Sequence, residues 1–289
     1  MATSRTAPRP SLLPPLHRRV MHVVRRQLLR GWPGERERPS YFIIGGKRCG
    51  TTSLDEYLVA HPLVLRGLVE KGCRYYDVNF QRGPQWYARH LPPRRAVDRL
   101  EARRGTRPLL GESSPYYVFH PEAIGRIAAD CPQARLFLLL RDPVQRAWSH
   151  YRYEVARGFE ELDFLSALQQ ESARLAVDDP MQRAFAHRHF SYLGRSRYAD
   201  QLARVHRHFD PGQVLVLESE RLFADPADVM RRAFAHLGLP PHEQTRYPAH
   251  KGLGDGPPIP AEAEEWLLER LADDRVRLGA LLDFVPVWA

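Results

Sequence analysis

Apolar residues fall along this chain in two patterns. Short unbroken runs occur at 41–44 (YFII), 109–110, 135–140 (RLFLLL) and 214–217 (VLVL). Such runs mark strands buried on both faces, where alternation is not needed. Between them apolar positions recur at helical spacing. Helices are predicted after the first run, at 85–90, 96–104 and 121–130, from Pro143 onward, and at 164–182, 198–209, 227–237 and 261–271. His61-Pro62 stops the first helix, and 63–77 reads as a connection. Strands alternating with helices predict an α/β fold with a mainly parallel central sheet and helices on both faces. Residues 40–289 form that domain. Residues 1–39 read as a basic segment, its first ten residues disordered and 31–39 a linker. Within it Leu16, Val20, Val23, Val24 and Leu28 share a helical face over 12–30, with arginines between them. That helix can lie on a membrane surface or pack on the domain with its arginines in solvent; the second is favoured.

The stretch from Tyr41 to Leu58, YFIIGGKRCGTTSLDEYL, runs from strand through a glycine turn into a helix. Glycines bring the backbone close to a ligand, and the free N–H groups of a helix start, with its dipole, attract an anion. Gly45 and Gly50 keep the glycine spacing of a nucleotide-triphosphate loop, but Thr51 stands where that loop has lysine, and the lysine is displaced to Lys47.

A second charged stretch, Arg141-Asp142-Pro143-Val144-Gln145-Arg146-Ala147-Trp148-Ser149-His150-Tyr151, follows the RLFLLL run directly. In open α/β sheets ligands sit at the carboxyl ends of strands, so Arg141 should emerge beside Lys47. Arg146 and Ser149, three apart, are expected on one helix face. A guanidinium with a hydroxyl can hold a phosphate monoester.

Composition narrows the ligand class. Lys and Arg number 43 against 34 Asp and Glu, a net charge of +9, which favours an anionic ligand. No nucleic-acid motif accompanies it. Cys49, Cys73 and Cys131 are scattered, which indicates neither a zinc site nor a disulfide framework and fits a reducing, cytoplasmic setting. Cys49, beside a helix start, is expected to be a packed, inert thiol. His187/His189 and His206/His208 read as surface histidines rather than metal ligands. No run of 18 apolar residues occurs, and the N-terminus lacks an apolar leader segment.

With both motifs in view, the chain resembles the sulfotransferases. Lys47-x-x-Gly50-Thr51-Thr52-Ser53 resembles their 5′-phosphosulfate loop, and R-D-P-x-x-R-A-x-S-x-Y their 3′-phosphate motif. The likeness runs from about Tyr41 to Gly256 and is nearest the branch of heparan sulfate sulfotransferases and their bacterial relatives. It implies a P-loop-like fold and the donor 3′-phosphoadenosine-5′-phosphosulfate (PAPS), with PAP as product and no required metal. By the same resemblance Lys47, Gly50, Thr51, Thr52 and Ser53 match the 5′ loop, Arg48 and Cys49 fill its variable positions, and Arg141 and Ser149 match the 3′-phosphate pair. Tyr198 resembles a residue near the adenine, and Lys251-Gly252 a late closing loop.

The acceptor region departs from the family. Where heparan-type relatives have K-E-x-H-F-F-D, with the glutamate as base, this chain has Lys71-Gly72-Cys73-Arg74-Tyr75-Tyr76-Asp77. Gly83, Trp86, Tyr87 and Pro92 still match the spacing that follows. Glu70 and Glu112 are the carboxylates that could replace the missing base, with Glu112 favoured, and Lys71 is expected near the sulfonate. Arg74, Asp77, Tyr116 and Tyr117 are expected to line the acceptor pocket. The acceptor class implied is a carbohydrate or small-molecule alcohol or amine. Two other readings stand beside this one: a nucleotide kinase, and a PAP-binding protein without transfer activity.

Overall fold

The computed structural model describes residues 34–65, 72–249 and 256–288. The helix expected at 12–30 lies outside these, as do Glu70, Lys71, Lys251 and Gly252. The apolar runs form β1 (Tyr41–Gly45), β3 (Leu109–Ser113), β4 (Arg135–Leu140) and β5 (Val214–Glu218), joined by a two-residue strand, β2 (Val64–Leu65). The strand order is β2-β3-β1-β4-β5, and every pairing is parallel. From β1 the chain builds outward to one side through β2 and β3, then returns to the other through β4 and β5. The order therefore reverses beside β1, where an open α/β sheet leaves a crevice at its carboxyl edge.

Helices α1 (Thr51–Leu58), α2 (Pro84–Ala88), α3 (Arg94–Arg104) and α4 (Ala123–Asp130) connect the first four strands. After β4 come α5 (Pro143–Ala156), α6 (Phe164–Gln169), α7 (Glu171–Leu175), α8 (Pro180–His189) and α9 (Tyr198–His206). After β5 come α10 (Ser219–Ala224), α11 (Pro226–His236) and α12 (Ala261–Gly279). The period of two sends alternate strand residues to opposite faces. Phe42, Ile44, Leu136, Leu138 and Leu140 pack with α4 and α9 residues such as Ile127 and Leu202. Tyr41, Ile43, Phe137 and Leu139 pack with α1 and α11 residues such as Leu54 and Phe234. A third cluster holds α5 to α6 and α12 through Trp148, Phe164 and Leu267. With an apolar core on each face, the sheet is fixed and its carboxyl edge becomes a rigid platform.

The expected parallel α/β arrangement is observed, with local differences. The single helix expected at 164–182 is three. The chain leaves helix after Leu175, and Asp179 starts a new one: its Oδ1 accepts from Gln182 N at 2.7 Å and Pro180 occupies the first turn. That helix runs on to His189, past the expected end. The last helix extends to Gly279 rather than 271, and α10 and β2 were not anticipated. Both are too short to show a period.

Candidate active site

The loop after β1 is anchored by Gly46 N donating to Leu139 O of β4 at 2.8 Å. Gly50, at φ 88°, makes the left-handed turn that opens α1, and no side chain caps that helix. The positive end of its dipole is thus left uncapped at the loop, where an anion is favoured. Gly50, Thr51 and Thr52 line a cavity of about 930 Å³. Ser53 and Cys49 are fully buried and off the cavity wall. Burial pushes the Cys49 thiol up to about 11, so it is an inert packed thiol, as expected.

The cavity spans the carboxyl ends of four strands: the β1 loop, Ser113 at the end of β3 with Ser114 after it, Arg141 after β4, and Ser219 and Glu220 after β5. Among the described residues its wall carries Lys47, Arg48, Arg74, Arg141, Arg152, Arg157, Arg188 and Arg195, with Glu220 the one carboxylate. This asymmetry favours an anionic ligand. Arg48 reaches across from the loop, and its Nε donates to Ser149 Oγ at 3.1 Å. Arg48 and Ser149 therefore meet in the cavity that Arg141 also lines, which gives Arg48 more than the variable-position status expected of it.

Other expected site residues lie elsewhere. Arg146 does not share the cavity face with Ser149. It is fully buried, its Nε bonded to Ser196 Oγ at 2.8 Å and its guanidinium to the Tyr192 carbonyl, and it ties α5 to the 190s segment. Tyr198 is also off the wall; its hydroxyl donates to the Arg141 carbonyl at 2.9 Å and so props the β4 end from below.

Lys47 turns toward α5. Its ammonium lies 2.6 Å from Glu154 Oε1, 2.5 Å from His150 Nε2 and 3.3 Å from the Arg188 carbonyl. Burial lowers the Lys47 pKa well below that of a free lysine, reinforced by the Arg195 charge and opposed by Glu154. Burial alone would raise the Glu154 pKa; bonds from His150 and His189 and the Lys47 charge override it and hold the carboxylate far below its usual range. His150, fully buried, is kept neutral by burial and by Lys47. His189 donates from Nδ1 to Glu154 Oε2 at 2.9 Å and lines the cavity. It is not the surface histidine that its sequence context suggests, being 5% exposed.

On the β3 side Arg74 and Tyr116 line the cavity, as expected of acceptor residues. Tyr116 OH meets His187 Nδ1 at 2.6 Å, and Arg195 stacks over the Tyr116 ring at 4.7 Å. Asp77 and Tyr117 are not on the wall. Asp77 is buried and accepts from Ser114 Oγ at 2.6 Å, and Tyr117 is wholly in the core. Glu112 does emerge at the β3 end, yet it is sealed. Its carboxylate accepts from Tyr87 OH at 2.6 Å and from Tyr117 OH, is 4% exposed, and lies beneath Gly72. Burial raises its pKa and the two tyrosine bonds oppose the rise.

Sequence reasoning missed Glu154, His150, His189, Arg188 and Arg195. His150 and Glu154 are four apart on the helix that carries Ser149. That polar pair at helical spacing, starting one residue after Ser149, was the available signal.

Comparison with known proteins places this geometry. The family model described as "Sulfotransferase family" matches residues 81–244. The chain belongs to the sulfotransferase family. It is 29% identical over 272 residues to the human bifunctional heparan sulfate N-deacetylase/N-sulfotransferase 3, covering 84% of this chain and 30% of that one. It is 33% identical over 211 residues to the mouse heparan sulfate glucosamine 3-O-sulfotransferase 3B1, covering 71% of this chain and 47% of that one. This sulfotransferase thus spans less than half the length of these curated relatives. Among solved structures, a sulfotransferase from Alicyclobacillus acidocaldarius aligns with a TM-score of 0.65 at 28% identity, covering 86% of this chain and 98% of that one. The fold expected from the two motifs is the fold of that structure.

Proposed function

We propose that this sulfotransferase moves a sulfuryl group from PAPS to a hydroxyl or amine of a carbohydrate or small-molecule acceptor and releases PAP. One observation carries the reading. Two separate anion-binding sets face one cavity: the uncapped start of α1 with Lys47, and the Arg141–Ser149–Arg48 trio. Two such sets suit a ligand with two anionic groups, a 5′-phosphosulfate and a 3′-phosphate. The donor set fits further on the β5 side, where Glu220 lines the cavity and its Oε2 is buried without a hydrogen-bond partner. An amine or hydroxyl of the adenosine would satisfy it.

Bound PAPS supplies the electrophilic sulfuryl group and a phosphate leaving group. The protein supplies orientation and fixed positive charge where negative charge grows. Thr51, Thr52 and the α1 N–H groups hold the 5′ end, and Lys47, released from Glu154, neutralises the leaving phosphate. Lys71 is assigned to the sulfonate. The relatives named above are heparan sulfate sulfotransferases acting on N and O positions, which supports a carbohydrate acceptor on the β3 side, against Arg74 and Tyr116. The three cysteines, all free and buried, support a reducing compartment. A kinase reading loses its ground, since Thr51 occupies the lysine position and the family is shown.

Calorimetry tests the donor. PAP should bind more tightly than AMP by about 1.5–3 kcal/mol, the worth of a charge-assisted contact, and Arg48→Ala should remove part of that preference. Equal affinity for PAP and AMP, or preference for ATP with Mg²⁺, would refute the reading.

A further inference from the structure

We propose that His189 is the general base that takes the proton from the acceptor hydroxyl, with Glu154 holding its ring. The proposal rests on the transferase reading above and names the group that replaces the family's missing glutamate.

Position 72 offers no side chain, and Glu112 has both carboxylate oxygens on tyrosine hydroxyls away from the wall. His189 has what these lack. Its ring lines the cavity. Nδ1 donates to Glu154 Oε2 at 2.9 Å, so Nε2 carries the lone pair; Arg188 Nε donates to that atom at 3.0 Å. The ring is gripped between Phe185, at 4.3 Å between centroids, and Phe159, at 4.8 Å. A carboxylate that fixes the tautomer and steadies the imidazolium once formed is the arrangement that makes histidine an effective base.

Its location fits the reaction. The Glu154 carboxylate that orients His189 through Oε2 holds Lys47 through Oε1 at 2.6 Å. The base is therefore one carboxylate away from the cation assigned to the leaving phosphate. Two residues earlier on α8, His187 touches Tyr116 of the β3 loop, so the end of α8 covers the acceptor half of the cavity. The half-buried Arg188 side chain occupies the point where the acceptor hydroxyl must come, and an entering acceptor displaces it.

In the step, the acceptor O–H bond breaks and its proton goes to His189 Nε2. The acceptor oxygen forms the new bond to sulfur, and the bond from sulfur to the 5′-phosphate oxygen breaks, its electron pair leaving with PAP. One proton stays on His189 and is lost to solvent after release.

The charged groups facing the ring are Glu154 on α5, Lys47 on the β1 loop and Arg188 on α8, with Arg157 reaching the same Glu154 oxygen at 3.4 Å. Burial lowers the His189 pKa, Glu154 opposes this, and Lys47 and Arg188 add to it. The ring is neutral and ready to accept at pH 7, and the acidic limb of turnover falls below the ordinary histidine value of about 6.5.

His189→Asn is the discriminating variant, because the asparagine amide can still donate to Glu154 but has no basic nitrogen. Turnover is read as PAP released from PAPS, with a desulfated heparan oligosaccharide present and with water alone. PAP affinity is read by calorimetry. The expected result is a loss of about 10²-fold or more in turnover, PAP affinity within about twofold of the parent, and disappearance of the acidic limb. Independently of activity, ring-nitrogen NMR of the ligand-free protein should show His189 as the neutral Nδ1–H tautomer at pH 7, perturbed in Glu154→Gln. A His189→Asn protein with parental turnover and acidic limb, or a His189 already charged at pH 7, overturns the proposal. Failure of the donor reading itself would show separately, as a parent protein without preference for PAP over AMP.

Discussion

At position 72 glycine is required on two counts. Its φ is 128°, and a Cβ there would lie 2.5 Å from Glu112 Cγ and 3.2 Å from Ser113 N. Any side chain would strain the backbone and push into a carboxylate locked by Tyr87 and Tyr117. Gly72→Ala should therefore cost about 1–3 kcal/mol of stability, measured by denaturant melting; an unchanged midpoint would show that the segment yields. Reinstalling the family's glutamate at 72 should fail for the same reason unless Glu112 is also shortened. Lys47 poses the complementary question. Because its ammonium rests on Glu154 rather than in the loop, Lys47→Ala should lower turnover more than PAP affinity. Lost affinity with an unchanged turnover number would make Lys47 a simple anchor. The motif residues Lys47, Arg141 and Ser149 were legible because loop and strand-end chemistry is local in sequence. The partners of Lys47 were not, since Glu154 and Arg188 reach it across more than a hundred residues.

Helix α5 carries the densest set of site contacts. Asp142 caps it, with Oδ1 accepting from Gln145 N at 2.7 Å, while Asp142 N donates to Glu220 at 3.0 Å. Arg146 faces inward to Ser196, Ser149 faces the cavity, and His150 and Glu154 hold Lys47. Asp142→Ala should destabilise the fold by about 1 kcal/mol and weaken PAP binding with it, because the cap sets where Ser149 stands. A variant with parental melting and parental affinity would dissociate the cap from the site. Strands β1, β4 and β5 were readable because they are nearly unbroken apolar runs, whereas β3 showed only Leu109-Leu110 before Gly111, Glu112 and Ser113. Helix α8 was harder. Its 183–189 segment, RAFAHRH, shows no clean apolar stripe: the buried His189 bonds to Glu154 and the half-buried His187 to Tyr116. The residue proposed as base was hidden for that reason.

For the molecule as a whole, the parallel sheet gathers residues from four strand ends into one cationic cavity. Attraction at such a site is screened by salt, so PAP affinity should fall by about threefold or more between 50 and 500 mM salt; a flat response would contradict the charge argument. Acid should weaken the fold along a defined course. Burial, helped by Arg195 beside His187 and by Arg135 beside His236, lowers the pKa of both histidines to about 4. The unfolded chain, with ordinary histidines near 6.5, then binds more protons. Their contribution to stability is complete above about pH 6.5 and is lost as pH falls toward about 4. Glu154, held low, adds a further loss below about pH 4.5, the ordinary glutamate range. His236→Asn should flatten the upper part of that slope in pH-dependent melting. The central claim is met most directly by transfer of labelled sulfate from PAPS across a panel of carbohydrate and small-molecule acceptors. The account predicts label on an acceptor hydroxyl or amine, with one PAP released per transfer. PAP binding without label on any acceptor would leave a nucleotide-binding protein and contradict it.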